Sequence, residues 1–293
     1  MRALLTTSQS LLLLDSDTGA ADVIDRGRGL YYGIARQGDL LYVAARRRLV
    51  SSTVPQTEER GEILMFDRTL RAAGSLTAPF PLRDLHEIAW HDGKLYATCS
   101  FDNMIAVYDG TRWERWFPLG DEHAGDANHF NSFMFEAGRI WILAHNRGPS
   151  ELMAFSLTDR RLLERVELGN CAHNIWREEG QLMTCSSAHG TLLGTRGFQI
   201  ETGGFPRGVA FDASHRLVGV SELAERAQRD MSSGRVLVRA RDWTPSHAIS
   251  LEGEGLVLDL LPLPAGFAPY QPGWFARLLG KRAPARQQFG LSR

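Results

Sequence analysis

The chemistry this sequence offers is concentrated in Tyr32, His86, Asn131, His173, Arg207 and Glu254. Each stands at the head of a short apolar run, with an apolar residue two positions on: Ile34, Ile88, Phe133, Ile175, Val209 and Leu256. The stretch "GNCAHNIWREEGQLMTC" (169–185) shows why this matters, because His173 and Asn174 open a segment that otherwise reads as core. A polar pair of that size is costly to bury without partners, so it should line a cavity. His86, His173 and Glu254 supply two imidazoles and a carboxylate, a donor set for a catalytic divalent metal (zinc, iron, manganese or calcium) with open positions. His129, in "DANHFNSF", lies close enough in sequence to Asn131 to reach the same place, which gives a three-histidine alternative.

The other side chains suit other tasks. Arg207 has the planar fork that fixes a carboxylate or phosphate. Tyr32 and His129 are candidates for moving a proton or steadying an oxyanion, while Asn131 and Asn174 are candidates for orienting substrate. Without a metal, either histidine of the pair would serve as a general base near neutral pH. Water bound along a polar channel is the bland alternative for the whole set. His145, in "ILAHNRGPS", falls at the end of a second strand near a loop, with a place on the rim as the alternative. Asp121, Glu122, His123, Asp126 and Asn128 form an acidic loop that reads as surface, with a carboxylate supporting the site as the alternative.

One recurring phrase must position these residues. It runs "YGIARQGDLLYVAA" from Tyr32, "HEIAWHDGKLYATC" from His86, "NSFMFEAGRIWILA" from Asn131, "HNIWREEGQLMTCS" from His173 and "RGVAFDASHRLVGVS" from Arg207. Each is a strand, a tight turn and a second strand by alternation and turn composition. A third, apolar strand and a fourth, more polar one follow. Four-stranded units repeating about every 40 residues are the signature of a β-propeller blade. Five units are complete. The sixth is split, with "EGLVLDLLPLP" (254–264) as a lone inner strand and three strands at the N-terminus to join it. The expectation is an all-β, six-bladed propeller over 1–264, its ring closed by pairing the two ends, with a β-sandwich as the competing architecture. In that ring the six side chains converge on one axial opening, with His86, His173 and Glu254 roughly 120° apart.

Two excursions, at 46–61 and 222–234, fall at the same place in blades one and five and should emerge on one face. Residues 265–293 leave the repeat and read as a tail packed outside or partly disordered. Its "GWFARLLGKR" is short, apolar and basic, suited to touching a partner or a membrane surface but not to anchoring.

Composition narrows the classes further. With Lys+Arg 33 against Asp+Glu 34, no global field favours nucleic acid. No apolar run is long enough for a transmembrane helix, and the leucine run near the start lacks a cleavage pattern. Three widely spaced cysteines, Cys99, Cys171 and Cys185, argue for thiols in a reducing compartment, hence a cytoplasmic protein of bacterial type.

The chain resembles the six-bladed propellers grouped with senescence marker protein 30, gluconolactonases and NHL-repeat proteins. "GEGLVLD" (253–259) looks like that group's Glu-Gly opening of an inner strand, which implies metal binding by Glu254. "FPRGVAFDASHRL" (205–217) is similar to its inner-strand phrase, although Arg207-Gly208 stands where the group has Asn-Gly. Arginine does not ligate metals, so the group's carboxylate-plus-asparagine site is not reproduced. A looser likeness, in residue types alone, is to the propeller lyase that cleaves peptidyl-hydroxyglycines with three zinc-binding histidines. Two function classes follow: a metal-dependent hydrolase or lyase acting on a small anionic substrate in the funnel, or a noncatalytic propeller that binds a ligand or protein partner.

Overall fold

The computed structural model describes residues 1–120 and 125–269. They form six four-stranded antiparallel sheets, and the inner strand of each packs against the next around a closed cycle. The molecule is therefore the six-bladed β-propeller that the repeat predicts. Blades one to five are continuous in sequence, with inner strands Tyr31–Gln37, Leu85–His91, Phe130–Glu136, Ala172–Glu178 and Phe205–Phe211. Blade six joins the inner strand Val257–Pro262 to Arg2–Thr7, Ser10–Asp15 and Ala21–Arg26. Leu4 pairs with Leu261 and Leu5 with Leu260, so the two ends of the propeller close one sheet. Closure pairs the strands at both ends of the propeller, and the inner edge of each sheet faces the axis, where the neighbouring blades protect it.

The apolar core lies between blades. Leu30, Ile63, Leu85, Ile88 and Leu95 fill the gap between blades one and two, and Leu5, Leu12, Leu217, Val236 and Leu260 the gap between blades five and six. Outermost strands such as Ala21–Arg26 stay largely exposed, as their polar composition dictates. Residues just after the propeller also pack on it. Phe267 is buried against Tyr31, Leu41 and Phe66, while "GWFARLLGKR" lies outside the described residues. Among the described residues no helix is long and apolar enough to cross a membrane.

One device turns the sheet edges into a site. Near the start of every inner strand the pairing with its neighbour slips, at Tyr31/Ile34, Leu85/Ile88, Phe130/Ser132, His173/Ile175, Pro206/Val209 and between Val257 and Asp259. A bulge bends the strand and re-aims side chains that would otherwise face the neighbouring sheet. The backbone groups released there are taken up across blade boundaries. Asn174 N–H donates to Ser132 Oγ (2.8 Å), Gly208 N–H to Asn174 Oδ1 (2.8 Å) and Ile34 N–H to Asp259 Oδ2 (2.9 Å). At Gly33 the blades approach so closely that a Cβ would sit 2.6 Å from the Ile88 nitrogen. Only glycine fits there.

Candidate metal centre at the axial mouth

The two excursions emerge together, as their equivalent positions predict, and they hold each other. Asp230 of the second accepts hydrogen bonds from the Val50 (3.0 Å) and Ser51 (2.7 Å) amides of the first. Beneath them is a cavity of about 400 Å3 lined by Tyr32, His86, His129, His145, His173 and Arg207, together with Asp84, Arg46 and residues of both excursions. The aromatic rings form a continuous arc around the mouth. Centroid separations are 4.4 Å for Tyr32 and His86, 4.6 Å for His86 and His129, 4.8 Å for His129 and His145, and 5.2 Å for His145 and His173. The Arg207 guanidinium lies over the Tyr32 ring at 4.7 Å and brings the cation to the start of the arc.

Each histidine has its tautomer set by what its Nδ1 meets. His86 Nδ1 is 2.8 Å from the Asp84 carbonyl oxygen, which only accepts, so the proton is on Nδ1. His173 Nδ1 is 2.8 Å from Ser187 Oγ, whose own proton goes to the Pro206 carbonyl at 2.6 Å. Ser100 repeats this arrangement two blades earlier, 3.1 Å from His86 Nδ1 and donating to the Phe130 carbonyl at 2.6 Å. His129 Nδ1 donates to Asp126 Oδ1 at 2.8 Å. On three consecutive blades the Nδ1 proton is thus committed, which makes Nε2 the unprotonated nitrogen of each ring. Burial pushes His86 and His173 well below the ordinary histidine range and outweighs every opposing charge, so both are neutral at physiological pH.

Asp84 completes the cluster. Burial would raise its carboxyl, but the Arg46 guanidinium ion-paired to it, with His86 and His129 beside it, holds it well below the usual carboxylate range. Arg46 is locked in turn by a bidentate bond to Glu59 (2.8 and 2.6 Å), and Glu59 also accepts the Asp84 amide (2.8 Å). One donor atom each from Asp84, His86 and His129 lie within 4.8 Å of one another. Asp84 and His129 occupy equivalent places, one residue before an inner strand, and both are left-handed (φ 53° and 50°). This strained conformation turns their side chains into the mouth.

The sequence-based candidates divide by height along the axis. Tyr32, His86, His129, His173 and Arg207 share the cavity. Asn131 and Asn174 do not. They line a much narrower channel below, of about 10 Å3, with Glu87 and Asp259. There Asn131 Nδ2 donates to the Ala172 carbonyl (2.9 Å) and Asn174 bridges blades as described above. Glu254 is a correction. It lies in the turn before Val257, pairs with Arg26 at 2.5 Å and does not reach the mouth. The inner strand of blade six starts at Val257, so its equivalents of His173 and Asn174 are Leu258 and Asp259, four residues beyond where the motif places them.

Sequence reasoning missed Asp84, Arg46 and Glu59, and it placed Asp126 on the surface although the structure buries it under His129 and Arg147. Asp84 had a readable signal, since "RDLHEI" sets it before its strand as "NHFNSF" sets His129. Asp121, Glu122 and His123 of the acidic loop lie outside the described residues.

No known family model matches the chain, and no curated protein matches it. Among solved structures, a chain of the crystal structure of a nidogen/laminin complex is similar, with a TM-score of 0.61 over 89% of this chain and 97% of that chain at 14% identity. That likeness supports the propeller and nothing finer.

Proposed function

We propose that this protein is a divalent-metal-dependent enzyme, a hydrolase or lyase, acting on a small anionic substrate in the axial cavity. The observation that carries the reading is the cluster of Asp84, His86 and His129, with His173 facing the same opening. It combines an ionised carboxylate with imidazoles whose Nδ1 protons are committed elsewhere. Two imidazoles and a carboxylate suit zinc, iron or manganese better than calcium, which favours an all-oxygen shell. When bound, such a metal polarises a carbonyl oxygen or lowers the pKa of a water.

The chain's own residues supply the rest. Among the described residues Arg207 is buried with no hydrogen-bonding or ion-pair partner, which leaves its fork for a carboxylate or phosphate of the substrate. Tyr32, beneath that guanidinium and against His86, is placed to give or take a proton. Asp126 and Ser187 hold His129 and His173 in their tautomers. The metal reading does not rest on the likeness to the senescence marker protein 30, gluconolactonase and NHL group, whose metal-binding glutamate would be Glu254, because Glu254 is engaged by Arg26. Cys99, Cys171 and Cys185 are free thiols, which favours a reducing, cytoplasmic setting.

The test is turnover of a panel of lactones, carboxylate esters and hydroxy acids by the protein as isolated, after chelation and after readdition of single metals. The expected result is activity lost on chelation, restored by one metal and reduced at least about 100-fold in His86→Ala and His129→Ala. Metal-independent turnover contradicts the metal dependence, and binding of small carboxylates with no turnover across the panel contradicts the enzymatic reading.

A further inference from the structure

We propose that His145 is the hydrogen-bond donor to the substrate's reacting oxygen, a carbonyl or carboxylate oxygen, and is neither a metal ligand nor a base. The inference deepens the function proposed above and rests on it for the substrate. It starts from a difference among the four histidines of the arc. His86, His129 and His173 each spend the Nδ1 proton on a protein acceptor, whereas His145 Nδ1 is itself an acceptor, receiving the Arg147 amide at 3.0 Å.

The backbone enforces this. Asn146 and Arg147 are both left-handed (φ 53° and 54°), which curls the chain after the strand Arg139–Ala144 until the Arg147 amide meets the ring two residues back. The His145 carbonyl is pinned by Ser150 Oγ (3.1 Å) and its amide by the His129 carbonyl (3.4 Å). With Nδ1 occupied as an acceptor, the ring proton must sit on Nε2. Among the described residues no protein acceptor meets it, and His145 lines the cavity between His129 and His173. With its Nδ1 lone pair taken by the Arg147 amide, the ring carries a single proton and is a neutral N–H donor. A fixed donor beside electron-pair donors is the geometry that stabilises charge developing on oxygen.

Nitrogen-15 spectra of ring-labelled histidines, assigned by loss of signals in His145→Gln, test the tautomer without any ligand. The expected spectrum has an unprotonated Nδ1 for His145 and protonated Nδ1 atoms for His86 and His173; a protonated Nδ1 at His145 overturns the proposal. Zinc titration separates it from the metal reading. His145→Gln should keep zinc affinity within about threefold while His86→Gln loses about 100-fold or more. Equal losses would make His145 a ligand and overturn the proposal while the metal reading stands. Acetate, titrated into zinc-loaded protein and into metal-free protein, reports on the donor. His145→Phe should weaken acetate at least about tenfold, and His145→Gln, which keeps an N–H, by less than threefold. Unchanged acetate binding in His145→Phe overturns the donor role in either form. Failure of wild-type protein to bind zinc overturns only the metal reading.

Discussion

At the scale of single residues, the account depends on which ring nitrogen each histidine presents, and that is decided by neighbours far away in sequence. Asp126 and Ser187 hold the Nδ1 side of His129 and His173, and Asp126 also pairs with Arg147. Changing such a partner typically costs 10- to 100-fold in metal affinity. Asp126→Asn is therefore expected to weaken zinc binding by about that factor in a competition titration; unchanged affinity would mean His129 is not a ligand. A second prediction concerns the carboxyls in the lower channel. Burial raises Glu87 well above the ordinary range and pushes Asp259 up to about 6. A carboxyl whose folded pKa is raised contributes stability fully below its unfolded value, near 4, and that contribution is lost as pH rises through the folded value. Asp259→Asn keeps an acceptor for the Ile34 amide and should flatten the fall in stability between about pH 4 and pH 6, by on the order of 2 kcal/mol in urea unfolding. An unaltered pH profile would show that Asp259 is not titrating in the folded protein. The types of Tyr32, His86, His129, His173 and Arg207, and their convergence, were legible in the sequence. Tautomers were not, because Ser187 lies 14 residues and a β-turn away from His173.

At the scale of elements, the repeated bulge and the two excursions do the positioning. The period-2 alternation shows that a strand is present but hides a bulge, since one extra residue shifts the face of everything before it. That is why Glu254 was misplaced: the glutamate-glycine pair resembles a strand opening, yet Gly255 is left-handed (φ 76°) and the strand begins at Val257. The excursions were legible as departures from the repeat. Their clasp was not, because it is one carboxylate, Asp230, accepting two amides from a loop some 180 residues earlier. Asp230→Ala leaves those amides without an acceptor, at a cost of about 1–3 kcal/mol each where water does not replace it. The expected outcome is faster hydrogen exchange at Val50 and Ser51 and faster proteolysis within 46–61, with the blades still protected. Unchanged exchange at both amides would show that the clasp does not hold the loops.

At the scale of the whole molecule, the ring makes a site from residues that are otherwise far apart, and its closure rests on one sheet built from both ends of the propeller. The period of the repeat gave the six blades away, and the unmatched strands at each end gave the closure. Leu260, buried between blades six and five and paired with Leu5, sits at that joint. Leu260→Ala should destabilise by about 2–5 kcal/mol and lower the denaturant midpoint of a single cooperative transition. A second transition would mean that the blades do not unfold as one unit. The claim that joins all three scales is that the axial mouth holds a divalent metal on ligands from neighbouring blades. Anomalous scattering at the zinc edge, from crystals of protein grown with zinc, tests it most directly. The predicted result is one strong peak about 2.0–2.1 Å from Nε2 of His86 and of His129, absent in His86→Ala. No peak in the cavity, or peaks only at surface carboxylates, would contradict it.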